Sequence, residues 1–209
     1  MNGKIKIIVG SFILLILINC NNDKKENLFQ LAELKNYKIT TTKINDSIVK
    51  INGSSKDYTI EGNMNIYDSS RQNWWKINNQ IINEKYEIEY VYLDKQIENQ
   101  IKVYKNGKLY KRASKFYTKS INNNKLSFNF YFPVSKFNTS QVNFNYAISD
   151  TIERKIIKEG KLNCINKTDH YYCSVPISKN ESIIGIVTNF SDFKKKDSVN
   201  LAVDRMFIK

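Results

Sequence analysis

From Tyr37 almost to the end of the chain, apolar and polar residues alternate with a period of two. Tyr86, Ile88, Tyr90 and Tyr92 interleave with Glu87, Glu89, Val91 and Leu93; Phe128, Phe130 and Phe132 interleave with Ser127, Asn129 and Tyr131. Successive side chains of a strand point to opposite faces, so this pattern suits a sheet with one buried face and cannot line one side of a helix. After residue 36 no sustained helical period occurs. The chain is therefore expected to be all-β and antiparallel, in short strands joined by turns.

The turns divide it. Asn106-Gly107 sits between two alternating runs, Ile97 to Tyr104 and Lys108 to Tyr117. This dipeptide is the strongest short hairpin signal, because a type I′ turn needs positive φ at both central residues. Asn122-Asn123-Asn124 breaks the pattern again and is taken as the boundary between two regions, 37–121 and 122–209. Seven short runs follow: Leu126 to Phe132, Val142 to Ile148, Thr151 to Ile157, Gly160 to Ile165, Tyr171 to Pro176, Ser182 to Phe190 and Val199 to Ile208. That density of strands and turns predicts a small β-sandwich. Glu26 to Lys35 carries Leu28, Leu31 and Leu34 at spacings of three and predicts one short helix ahead of the first strand.

The N-terminus obeys different rules. Lys4 and Lys6 precede an apolar run from Ile7 to Ile18, which gives way at once to Asn19-Cys20-Asn21-Asn22-Asp23. A run of that length fits the apolar region of a secretory signal and falls short of the roughly 20 residues of a spanning helix. Leu17-Ile18-Asn19-Cys20 resembles the cleavage box of bacterial lipoproteins. The resemblance implies removal of residues 1–19, acylation of Cys20, a tether over residues 20–36, and attachment to the cell envelope through the N-terminal lipid. It covers only these first residues and implies nothing about activity.

A second, shorter resemblance lies within residues 62–111. Gly62-Asn63-Met64-Asn65-Ile66-Tyr67, Asn73-Trp74-Trp75-Lys76 and Val103-Tyr104-Lys105-Asn106-Gly107-Lys108-Leu109 together look like the MORN-like hairpin repeats of bacterial surface proteins. This implies a binding or structural role. The region after residue 122 looks like the Ig-like domains found on bacterial surfaces, although no motif in it carries individual residues across.

Composition narrows the chemistry. The net charge is +13, yet the lysines are spread over every strand-like run and arginine is scarce. Dispersed lysine gives a solvated basic surface, and no specific nucleic-acid binding is expected. One histidine, His170, is present. A Ser-His-Asp or Cys-His hydrolase would need it as base, but an exposed loop-tip histidine is the simpler reading. Cys164, Asp169, His170 and Cys173 can be written as zinc ligands, yet the cysteines stand nine apart instead of two to four. In an oxidising compartment the pair Cys164 and Cys173 suits a disulfide closing a hairpin, with two separate buried thiols as the alternative. Glu87 and Glu89 share a strand face, where paired charges normally form a wet surface. No glycine-rich phosphate cradle is present, and no cofactor is expected.

Aromatic residues remain. Trp74, Trp75, Tyr90 and Tyr92 are the expected binding face, a platform for a sugar ring or a protein partner. The competing reading has one tryptophan in the core and the tyrosines at its rim. The sequence thus points to a lipid-anchored envelope protein that binds or scaffolds without catalysis. An immunity or toxin-neutralising role, a glycan-binding module and a hydrolase stand as alternatives.

Overall fold

A computed structural model of the chain describes residues 27–135, 137–195 and 198–209. The expected signal segment and Cys20 lie outside the described residues. Seven antiparallel strands come first: β1 (Lys38–Lys43), β2 (Ile48–Ser54), β3 (Tyr58–Asn65), β4 (Arg71–Asn79), β5 (Glu84–Tyr92), β6 (Gln96–Lys105) and β7 (Lys108–Leu109). Each pairs with the next in sequence, so the sheet is a meander. At the final hairpin Asn106 has φ 50° and Gly107 φ 74°, as the Asn-Gly dipeptide requires.

Register explains which face is dry. Ile60 lies opposite Ile77, and Trp75 opposite Ile88, which in turn lies opposite Ile101. Directly paired residues share a face, so Ile51, Ile60, Trp75, Ile77, Ile88 and Tyr90 collect into one buried cluster. The segment ahead of β1 covers that cluster. Asn27 caps α1 (Leu28–Leu31), its side-chain oxygen accepting from the Phe29 N–H, and Leu28, Leu31, Ala32 and Leu34 pack on the sheet. The helix is one turn, followed by a 3-10 turn at Leu34–Asn36, and is shorter than the periodic leucines suggested. So short a helix holds only by packing.

The other face of the meander is polar. Glu61, Lys76, Glu87 and Lys102 stand opposite one another across β3 to β6, alternating in sign.

The second unit contains β8 (Phe116–Asn122), β9 (Lys125–Tyr131), β10 (Asn138–Asp150), β11 (Lys155–Asn163), β12 (Ile165–Asn166), β13 (Tyr171–Pro176), β14 (Glu181–Lys195) and β15 (Ser198–Ile208). They form two four-stranded sheets, ordered β12-β13-β9-β8 and β11-β10-β14-β15. Phe128, Phe130 and Val175 from the first sheet meet Phe144, Val187, Met206 and Ile208 from the second in one core. The Cys164 and Cys173 sulfurs lie at disulfide distance, with Cα atoms 4.9 Å apart. Cys164 falls between β11 and β12, where the chain passes from one sheet to the other.

The changeover between units differs from the expected one. Asn123 and Asn124 both have positive φ and form the tight turn of the β8–β9 hairpin. Phe116 to Asn122 therefore belongs to the second unit, and the switch falls between Leu109 and Phe116. Asparagine tolerates left-handed backbone, so the triplet that looks like a linker is a hairpin turn. Thr151 to Arg154 is likewise a turn, with Arg154 at φ 55°, and β11 begins only at Lys155.

Candidate binding surface

The four aromatic residues do not meet on one surface. Trp75 is 0% exposed and Tyr90 3%, their rings edge to face with centroids 6.3 Å apart. Trp75 Nε1 donates to the Asn63 carbonyl at 3.0 Å, so the indole is fully partnered inside the core. Above them the Arg71 guanidinium sits 4.8 Å from the Trp75 ring and 4.9 Å from the Tyr90 ring. Arg71 also donates to the Tyr90 hydroxyl and to the Ala32 carbonyl, pinning the N-terminal segment over the core. Burial pushes the Tyr90 hydroxyl above its ordinary pKa, while Arg71 acts the other way. Trp74, one residue along, faces the polar side, where Lys102 Nζ lies 4.5 Å from its ring centroid. Tyr92 is 62% exposed at the end of β5 and lies on the Tyr90 side of that strand, whereas Trp74 lies opposite Glu89 and faces the other way. The expected platform is thus divided between a core, an opposite face and a strand end.

The candidate polar chemistry is likewise dispersed. His170 Nδ1 is 2.7 Å from Asp169 Oδ1, and Lys111 Nζ reaches Asp169 Oδ2 at 3.0 Å. Hydrogen bonds from His170 and then Lys111 hold the Asp169 carboxyl below its ordinary range. Among the described residues no group of three or more His, Cys, Asp and Glu is placed to hold a metal ion. Glu87 accepts from Lys85 Nζ at 2.9 Å and from the Tyr104 hydroxyl at 3.0 Å. Glu89 is buried elsewhere, at the junction between the two units.

A different surface stands out. In the β11-β10-β14-β15 sheet, Phe144, Val187 and Met206 point into the core. Their neighbours in sequence point outward. On that outer face Ile184, Ile186, Phe190 and Val203 are exposed. The same face holds an open trough of about 830 Å³, lined among others by Asn145, Ala147, Lys161, Ile186, Arg205 and Phe207. Its lining mixes the apolar Ile184, Ile186 and Phe207 with the polar Asn145 and Thr188 and the charged Glu159, Lys161 and Arg205. Asn143, on the same face, is buried with its Oδ1 lacking a hydrogen-bond partner. The trough was not anticipated from the sequence. A signal for it exists in Ile183-Ile184-Gly185-Ile186-Val187, where alternation lapses and both faces of a strand become apolar.

No protein-family profile matches the chain, and no curated protein is significantly similar to it. The fold is that of an all-β protein with an antiparallel meander followed by a two-sheet unit.

Proposed function

We propose that the chain is a lipid-anchored envelope protein with a non-enzymatic binding or scaffolding role, and that a protein partner docks on the outer face of the β11-β10-β14-β15 sheet. The address rests on the N-terminal apolar run and Cys20, and the cysteine pair at disulfide distance is in keeping with an oxidising compartment. The observation that carries the binding role is the exposed apolar row Ile184, Ile186, Phe190 and Val203 beside the trough. Contiguous exposed apolar patches mark interaction sites. Exposed aliphatic side chains suit a protein better than a sugar, which stacks on exposed aromatic rings. Two four-stranded sheets packed on one shared core favour an Ig-like reading of the second unit. The meander and its Asn-Gly hairpin favour a MORN-like first region.

Two measurements test this. Cys20→Ala should abolish labelling of the mature protein by a fatty-acid analogue; a labelled band that persists removes the anchor. A photo-cross-linking residue at Ile186 should capture a discrete membrane-associated protein, and capture should fall at least tenfold with Ile184→Lys. Equal capture from an exposed position on the polar face of the meander would remove the docking surface.

A further inference from the structure

Sheets end in edges, and an edge strand offers unpaired N–H and C=O groups to any chain that can reach them. Proteins blunt such edges with lysine, proline or brevity. The other edge strands here follow that rule. β1 carries Lys38 and Lys43, β11 carries Lys155, Lys158 and Lys161, and β8 carries Lys119, while β7 and β12 are two residues long. β15 is the exception. It runs eleven residues and has no lysine or proline between Ser198 and Asp204.

The direction in which β15 presents its backbone is fixed by a contact at its far end. The N–H of Phe207 donates to Asn99 Oδ1 at 2.6 Å, and its C=O accepts from Asn99 Nδ2 at 2.8 Å. Both groups of Phe207 therefore point away from β14. In an antiparallel ladder this direction alternates along the strand, so Val199, Leu201 and Val203 also present N–H and C=O outward. All three have exposed side chains, and Leu201 is 79% exposed.

The three residues of this open stretch whose backbone groups point outward, Val199, Leu201 and Val203, are apolar and symmetric about Leu201. A two-fold interface requires a patch complementary to itself. We infer that β15 pairs antiparallel with β15 of a second copy, with Leu201 on the two-fold axis and Val199 opposite Val203 of the other copy. In that register the outward-facing N–H and C=O of all three residues are satisfied. The apolar side chains meet in one row, and no charge falls between residues 199 and 203. The two four-stranded sheets become one continuous sheet, and the outer faces of both copies lie side by side. The closed pairing consumes the edge, so it does not propagate into a fibre.

The register makes this testable in the full chain, in membranes or detergent. Opposed residues of a hydrogen-bonded antiparallel pair have Cα atoms about 5.5 Å apart. Leu201→Cys should therefore give cross-linked dimers with a short thiol–thiol reagent, well above the parent chain. Val199→Cys alone should not, since two copies of that position lie about 14 Å apart; mixed with Val203→Cys chains it should. By sedimentation the parent should reach twice the single-chain mass as concentration rises. Leu201→Lys, at an exposed position with the near-ultraviolet spectrum as a check on folding, should remain a single copy. Four results would each overturn the pairing: a parent that never exceeds one copy, a Leu201→Lys chain that still dimerises, equal cross-linking at 199 and 201, or a strand-shaped peptide on the edge of a single copy.

Discussion

A β-carbon at position 62 would collide with the indole of Trp75. Gly62 sits at the irregularity between Glu61 and Asn63, where β3 shifts register against β4. Across from it Asn73 takes φ 56°. The missing side chain, the bulge and the left-handed asparagine together seat the indole flat on the sheet, with its N–H on the Asn63 carbonyl. Gly62→Ala should therefore cost about 1–3 kcal/mol, the usual penalty for overpacking a core. Urea unfolding would read this, and the red shift of the Trp75 fluorescence would show that the indole itself moves. The same residues explain what the sequence withheld about the aromatic cluster. Alternation shows that Trp74 and Trp75 face opposite ways, but it does not say which faces in. That sign is set by the bulge and by Arg71, which covers the Trp75 and Tyr90 rings, and neither is periodic.

At the scale of strands, most of the architecture was legible, because a half-buried sheet writes its period directly into the chain. Tyr171–Pro176 lies where alternation put it, and Lys85 to Leu93 is displaced by a single residue from β5. The unit boundary was not legible, because Asn123-Asn124 serves equally as a linker or as a turn with two left-handed residues. The outer trough was hidden for the opposite reason: β14 is apolar on both faces, and a run of that kind reads as buried. Two predictions belong here. Cys173→Ala opens a bridge that spans nine positions and ties the crossing between sheets, so it should cost about 2–3 kcal/mol, read as a lower urea midpoint that matches that of the reduced parent. The polar face of the meander predicts a pH dependence. Burial raises the carboxyls of Glu61, Glu84 and Glu87, but lysine partners, joined by the Tyr86 hydroxyl at Glu84 and the Tyr104 hydroxyl at Glu87, outweigh it and hold all three below their ordinary 4.5. A lowered native pKa means that the unfolded chain takes up protons first as pH falls. The stabilisation is complete above 4.5 and fades as pH drops through the lowered native values. Glu87→Gln should flatten that acid limb of the midpoint-against-pH curve. At the other extreme, burial and the hydrogen bond to Glu87 push the Tyr104 hydroxyl up to about 12, so its contribution is lost as pH rises through that value.

For the molecule as a whole, the decisive feature is that the two units meet through polar groups. At the register shift between β5 and β6, Glu89 lies opposite Gln100 and Tyr90 opposite Glu98, so Asn99 is the extra, unpaired residue of a bulge. A bulge re-aims a side chain, and here it directs the Asn99 amide at β15. There the amide engages both backbone groups of Phe207, much as a neighbouring strand would. The Asn99 amide also donates to Glu89 Oε2 at 2.8 Å, joined by Gln100 Nε2 at 2.9 Å, while Lys209 Nζ lies 3.3 Å from Glu89 Oε1. Gln100 Oε1 accepts from the Tyr117 N–H, and Lys115 pairs with Asp204 at 3.1 Å. A buried carboxylate so surrounded costs little while every partner is present, and much when one is removed. Asn99→Ala strips two hydrogen bonds from Phe207 and one from Glu89 without touching either apolar core. The expected result is a loss of about 2–4 kcal/mol, from the unsatisfied groups left behind, and a change in where the chain opens. The Phe207 amide, protected through Asn99 alone, should exchange with solvent orders of magnitude faster. The amide of Val187, deep in the second core, should slow or quicken only in step with global stability. If the Phe207 and Val187 amides lost protection equally, the junction would be part of one cooperative core and not a polar seam between two.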